Sequence, residues 1–323
     1  MLYIALPDEK VRRLSFYLAM EEYVARHLDD GDYFFMWQVE PSVIFGRNQL
    51  IESEVNLDFC KRRNIQTYRR KSGGGCVYAD MNNVMFSYVT CEEQVNFTFS
   101  RYINMVVLAL QRLGIDASPS GRNDVMIGNK KVSGNAFYKV PGHCIVHGTM
   151  LYDTDMLNMA GVLTPPETKL ISHGIKSIHQ RVDFLKNYLT ISIDEFKDFI
   201  RRQLCKGEYM LNEEDVRQIE EIEQEYLSDE FIYGKNPRYS IVKKRRIEDV
   251  GEFEARIELK NNIIKSVNLM GDFFLVGDLD KGLLDKLKDV PLEAGAIHRA
   301  LPDRIDDIVV NLLKIDFIEL LTE

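Results

Sequence analysis

Three groups of residues have the types and spacing to do chemistry. The first is Arg69-Arg70-Lys71-Ser72 running into Gly73-Gly74-Gly75. Consecutive glycines let a backbone approach a ligand closely and turn its amides inward. The flanking cations complement phosphate or carboxylate. The run fits neither GxxxxGK[ST] nor GxGxxG, and extended sequence follows it instead of a helix, so it is neither a Walker loop nor a dinucleotide turn. Taken alone, it reads equally as a flexible hairpin.

The second group is Gly121-Arg122-Asn123-Asp124, followed by Gly128-Asn129-Lys130-Lys131-Val132-Ser133-Gly134. Asp124 suits magnesium, a hard cation that takes carboxylate oxygens and bridges to substrate phosphates. One of the paired lysines, at the start of a strand, can reach an anionic reacting centre. The alternative is an Asn-Asp turn and an exposed hairpin with solvated lysines. The third group is His143 and His147. The β-branched residues between them, the nearby Pro141-Gly142 and the lack of an HExxH glutamate argue against zinc. His147 reads as a strand end at a pocket or as a structural histidine. Cys76 and Cys144 are nucleophile candidates only by residue type; buried thiols are inert.

Several elements must position these groups. Leu14, Tyr17, Leu18 and Val24 form one stripe of a helix over residues 13–27. Residues 34–38 and 42–46 read as short strands split by Pro41, and residues 65–68 as a strand entering the glycine run. Extended sequence then returns through residues 76–89. Residues 99–113, 194–204 and 213–226 read as helices; 130–132, 145–147 and 150–152 read as strand pieces. After Asn236-Pro237 the character changes. A basic turn at Lys243 to Arg246 leads into a hairpin pattern, and two helical stretches follow, the last over residues 305–321. These features divide the chain into residues 1–244 and a small α+β domain at 245–323.

At 323 residues the chain exceeds what one core usually supports, which also favours two domains. A formal charge of -9 is a poor footprint for non-specific nucleic-acid binding. No apolar stretch reaches membrane-spanning length. Asp8 and Glu9 fall where a signal peptide needs apolar residues, and Cys60, Cys76, Cys91, Cys144 and Cys205 show no CxxC spacing. Reduced thiols in a cytoplasmic protein are expected.

Taken in order, the segments around Trp37 to Leu50, Glu54-Val55-Asn56, the glycine run with Cys76-Val77-Tyr78-Ala79-Asp80, Gly121 to Phe137 with Asn123-Asp124 and Lys131, His147 to Leu151 and Lys176 to Leu185 resemble the lipoate–protein ligases. The tail resembles the accessory domain of their two-domain members. The resemblance implies an α/β (α+β) catalytic domain with the mixed-sheet fold of biotin ligases and class II aminoacyl-tRNA synthetases. It also implies a reaction in two steps. Free lipoate and Mg-ATP give lipoyl-AMP, and a specific lysine of a lipoyl carrier domain (a dehydrogenase E2 subunit or the glycine-cleavage H protein) then displaces AMP. A site bringing a carboxylate to a phosphate needs fixed cations, amide donors and a metal.

Carried over by position, Lys131 is the essential lysine, contacting lipoate and the α-phosphate. Arg70, Gly75, Cys76, Val77 and Tyr78 fall where the family binds ATP. Asp124 is the magnesium contact, and Asn123, Ser72, Gly74 and His147 line the lipoate pocket. Many members read VYHD where this chain has Ala79, and alanine where it has Cys76; both departures bear on nucleotide affinity or acyl preference. Family members act as monomers. The alternative is an ATP-independent octanoyl or lipoyl transferase using a cysteine. No cysteine lies between Pro119 and Lys131, which leaves Cys144 as its nucleophile. The biotin ligases carry a GRGRxGR-type run that this chain lacks.

Overall fold

A computed structural model of the chain describes residues 1–91, 94–120, 123–163, 181–233, 241–260 and 262–322. They divide into two units. One gathers Met1–Phe45, Glu52–Arg70 and Cys76–Ile232; the other gathers Gly46–Ile51, Lys71–Gly75 and Tyr233–Glu323. No helix among the described residues is long and apolar enough to cross a membrane.

The first unit carries β1 (Leu2–Ala5), β2 (Tyr33–Trp37), β3 (Ser42–Phe45), β4 (Gln66–Arg69), β5 (Val77–Ala79), β6 (Asn83–Thr90), β7 (Ala117–Pro119), β8 (Asp124–Ile127), β9 (Lys130–Val140), β10 (His143–Leu151) and β11 (Gly207–Met210). Eight of them make one mixed sheet in the order β11-β1-β2-β6-β10-β9-β8-β7. Its β11–β1–β2 margin is parallel and the remaining pairs are antiparallel. β6 is buried along its whole length, so apolar residues occupy both of its faces without alternation. Helix α1 (Leu14–His27) lies on one face, where Tyr17 stacks on Trp37 at 4.9 Å. On the other, Tyr88 meets Tyr102 of α2 (Val95–Arg112) and Phe86 meets Phe196 of α3 (Ile193–Leu204). Ser192 and Glu195 close a capping box at the start of α3. The fold is the mixed α/β architecture that the family resemblance implies.

Three local expectations change. The glycine run does not close a hairpin: β4 and β5 both pair with β3, one parallel and one antiparallel. The separate strand pieces after residue 130 join into the long β9–β10 hairpin, turned by Pro141-Gly142 with Gly142 at φ 78°. Polar Ser133 and Asn135, both buried, interrupt the apolar pattern there and hide its continuity. The basic run at Lys243 to Arg246 is a strand, not a turn. It lies in β12 (Ile241–Ile247), beside β13 (Gly251–Lys260) and β14 (Ile263–Gly271), in the sheet of the second unit. Lys244 faces Glu254 across the pair at 2.7 Å, and Arg246 faces Glu252 at 3.1 Å, so cross-strand ion pairs accommodate the charge run.

The second unit has its own core, including Phe253, Ile257, Leu269, Phe273, Leu287 and Phe317. It also takes in the glycine run. The Arg47 N–H donates to Ser72 O at 2.9 Å, and the Gly74 N–H donates to Phe273 O at 3.4 Å. A Cβ on Gly73 would collide with the backbone oxygen of Phe273, so that position requires glycine. Of the expected last helix, Lys314–Thr322 is helical and the residues just before it form turns.

Candidate active site

The polar residues that begin β9 face a cavity because of a defect in strand pairing. β8 and β9 are joined through Gly128-Asn129, where Gly128 takes φ 58° at the first loop position, as a two-residue hairpin of this hand requires. Asp124 pairs with Gly134 and Val125 with Ser133, but Met126 then pairs with Lys131. Val132 is therefore an extra residue, a β-bulge. Residues three apart on a regular strand point to opposite faces. The bulge brings Lys131 to the same face as Gly134, Asp124 and Met126.

That face borders a cavity of about 480 Å³ in the first unit. Lys131 and Asp124 are its charged pair, with Nζ 2.8 Å from Oδ1 and both side chains partly exposed. Asp124 Oδ1 is nonetheless buried and accepts no hydrogen bond of good geometry, so the contact is electrostatic. Gly134 makes it possible: a Cβ there would sit 2.6 Å from Lys131 Nζ and 2.7 Å from Cε. A second segment fixes the backbone of Lys131, whose N–H donates to Arg181 O at 2.8 Å and whose carbonyl accepts from Asp183 N at 2.9 Å. Arg181 and Val182 thereby join the cavity wall. Burial alone would raise the Asp183 carboxyl. Hydrogen bonds from Tyr188, Phe184 N, Asn187 and Lys130 outweigh it and hold that carboxyl below its usual range.

Apolar side chains from four elements complete the walls. They are Val77 of β5, Met126 of β8, Leu151 of β10 and Met159 of the short helix Met156–Val162, with Leu163 just beyond it. Asp155 caps that helix, and Asp80 ties it to β5 by accepting from Asp155 N at 3.1 Å and Asn82 N at 3.0 Å. Cys76, Val77 and Tyr78 form one edge of the cavity. Burial pushes the Cys76 thiol well above its ordinary range, although the nearby Arg70 cation opposes this.

Of the sequence candidates, Cys76, Val77, Tyr78, Asp124 and Lys131 thus line one cavity. Arg70 is buried; its Nη1 donates to Ile44 O at 3.2 Å, and burial lowers its guanidinium to about 10. The Asn123 side chain donates to Asn135 O at 2.8 Å, and Asn135 Nδ2 returns a bond to Asn123 O. His147 lies in mid-strand, not at a strand end. Its Nδ1 is 2.9 Å from the buried Glu21 carboxylate, which also accepts from Ser87 and Tyr138. Ser72, Gly74 and Gly75 belong to the second unit. Cys144 is fully buried and its thiol is pushed up to about 12. Sequence reasoning left Gly134, Arg181 and the apolar walls unassigned; the lysine-Val-Ser-Gly order carried a signal for Gly134 alone.

No group of three or more His, Cys, Asp or Glu residues that could hold a metal occurs among the described residues. A lone carboxylate with a buried oxygen that lacks a hydrogen-bond donor still fits a magnesium ion whose other ligands are phosphates and water.

Comparisons with known proteins bear on this site. Residues 14–205 match the family model described as the lipoyl protein ligase A/B catalytic domain, and residues 236–321 match the bacterial lipoate protein ligase C-terminus. Lipoate–protein ligase 1 of Staphylococcus aureus is 36% identical over 284 residues, covering 84% of this chain and 86% of that relative. Among solved structures, a bipartite lipoate protein ligase from Thermoplasma acidophilum, described with its E2 lipoyl domain, gives a TM-score of 0.67 at 29% identity. It covers 75% of this chain and 100% of its own. A lipoate–protein ligase A bound with ATP gives 0.64 at 28%, covering 72% and 98%.

Proposed function

Because this chain belongs to the lipoate–protein ligase family, we propose that it activates free lipoate with ATP and transfers the lipoyl group to a lysine of lipoyl carrier domains. The observation that carries this reading is the bulged β9, which sets Lys131 and Asp124 against an apolar-walled cavity. In the first step a carboxylate oxygen of lipoate attacks the α-phosphorus. The bond to the β-phosphate breaks, and pyrophosphate leaves. Two anions must meet for this to happen, so a fixed ammonium beside them stabilises the charge that develops between them. Lys131 has that role. Arg70 and the chain from Gly75 through Cys76, Val77 and Tyr78 hold the nucleotide. The family resemblance assigns Asn123, Ser72, Gly74 and His147 to the acid, and in the first unit's cavity Met126, Leu151, Met159 and Leu163 receive its acyl chain. Asp124 would hold magnesium, which neutralises phosphate charge when bound. In the second step the carrier's lysine amine attacks the acyl carbon, the bond to AMP breaks, and an amide forms with loss of a proton.

Residues 1–244 carry both steps in this account, and residues 245–323 are accessory. The carriers are E2 lipoyl domains or the H protein, and the enzyme works as a cytoplasmic monomer. The relative with bound ATP and the one described with an E2 lipoyl domain support the nucleotide and the carrier class. The buried, high-pKa Cys144 disfavours the cysteine transferase. Chromatography of a reaction holding enzyme, lipoate and Mg-ATP without carrier tests the first step. Lipoyl-AMP together with pyrophosphate is expected; ATP left intact would refute it.

A further inference from the structure

We propose that Asp124 occupies the seat of the substrate's carboxylate on Lys131 and so weakens acid binding until the nucleotide site is filled. The inference rests on the proposed function and deepens it. In the structure a carboxylate oxygen already lies 2.8 Å from Lys131 Nζ, the spacing a substrate carboxylate would take. The seat is built for this contact. The bulge at Val132 aims the lysine at Asp124, and Gly134 leaves room for the side chain to lie across the strand. Asp124 Oδ1 is buried and accepts no well-formed hydrogen bond, so the lysine is its main compensation. An incoming acid must therefore displace one carboxylate with another and take from Asp124 the cation it is paired with.

A cation arriving with the nucleotide removes that penalty, because Asp124 can then face the cation while Lys131 faces the acid. Acid and magnesium nucleotide each take one member of the pair, and each favours the other by the same factor. The empty enzyme is thereby kept from holding the acid unproductively.

Isothermal titration of lipoate into the full-length protein, with no nucleotide or metal, tests the idea. Asp124→Asn keeps the shape and removes the charge, and it is expected to lower the lipoate Kd about fivefold, the scale of a partly exposed ion pair. Asp124→Glu restores the competing carboxylate and returns the Kd toward the unsubstituted value. In the Lys131→Ala background Asp124→Asn changes nothing. With magnesium and a non-hydrolysable ATP analogue, lipoate binds the unsubstituted protein more tightly, and Asp124→Asn loses that gain. Equal or weaker lipoate binding by Asp124→Asn in a folded protein overturns the inference alone. Failure of the unsubstituted protein to bind lipoate under any of these conditions overturns the proposed function with it.

Discussion

Lys131 and Gly134 lie three residues apart on β9 yet face the same cavity, because Val132 is bulged out of the pairing with β8. The glycine is the clearance and the bulge is the aim. Adding one methyl at Gly134 should therefore disturb the lysine more than it disturbs the fold. Gly134→Ala places a Cβ 2.6 Å from Nζ, the far end of a flexible side chain, so the lysine swings away. Pyrophosphate release is expected to fall about 100-fold, while the melting temperature moves by only a few degrees. Unchanged release would show that the lysine works from another position.

Lys131→Ala removes the cation altogether. Lipoyl-AMP formation should drop below detection, with far-ultraviolet circular dichroism unchanged because the side chain is partly exposed. Near-normal adenylate in that variant would remove Lys131 from the account.

Alkylation separates buried Cys144 from exposed Cys91. A thiol raised to about 12 holds roughly one part in ten thousand thiolate at pH 8, and its thiolate increases only as pH climbs towards 12. Iodoacetamide at pH 8 should label exposed Cys91 and leave Cys144 untouched, as read by peptide mass spectrometry. Cys144→Ser should retain ATP-dependent lipoylation. Loss of activity in a folded Cys144→Ser protein would favour the transferase.

The glycine run gives a contrasting pair. A Cβ at Gly73 meets the backbone oxygen of Phe273, which cannot give way, whereas a Cβ at Gly75 meets nothing within 4 Å. Gly73→Ala should destabilise the second unit by about 1–3 kcal/mol, and Gly75→Ala should be nearly neutral in thermal unfolding. Equal melting temperatures for the two variants would contradict the close packing of Gly73 on Phe273.

The sequence read most clearly where one residue type has one use. The paired lysines and Asp124 could be singled out by residue type, but each run alone also reads as a plain hairpin, and only the ordered resemblance to the ligases picked out Cys76 to Tyr78. The facing of Lys131 could not be read, since a bulge has no residue signature in Lys-Val-Ser-Gly. Arg181 reaches the cavity through backbone bonds to a residue fifty positions earlier, and local pattern carries no trace of that. The apolar walls come one side chain at a time from separate elements, so no segment stands out. Lys243 to Arg246 looked like a turn because the glutamates that pair with it lie on the next strand, beyond any local window. His147 read as a strand end or as a structural histidine, and its bond to Glu21 on α1 fits the second.

The most direct test is the intact mass of a purified lipoyl carrier domain after incubation with this protein, free lipoate and Mg-ATP, beside a reaction lacking ATP. A lipoyl mass gain that appears only with ATP is expected. A gain without ATP from an acylated donor carrier, or none under either condition, would contradict it.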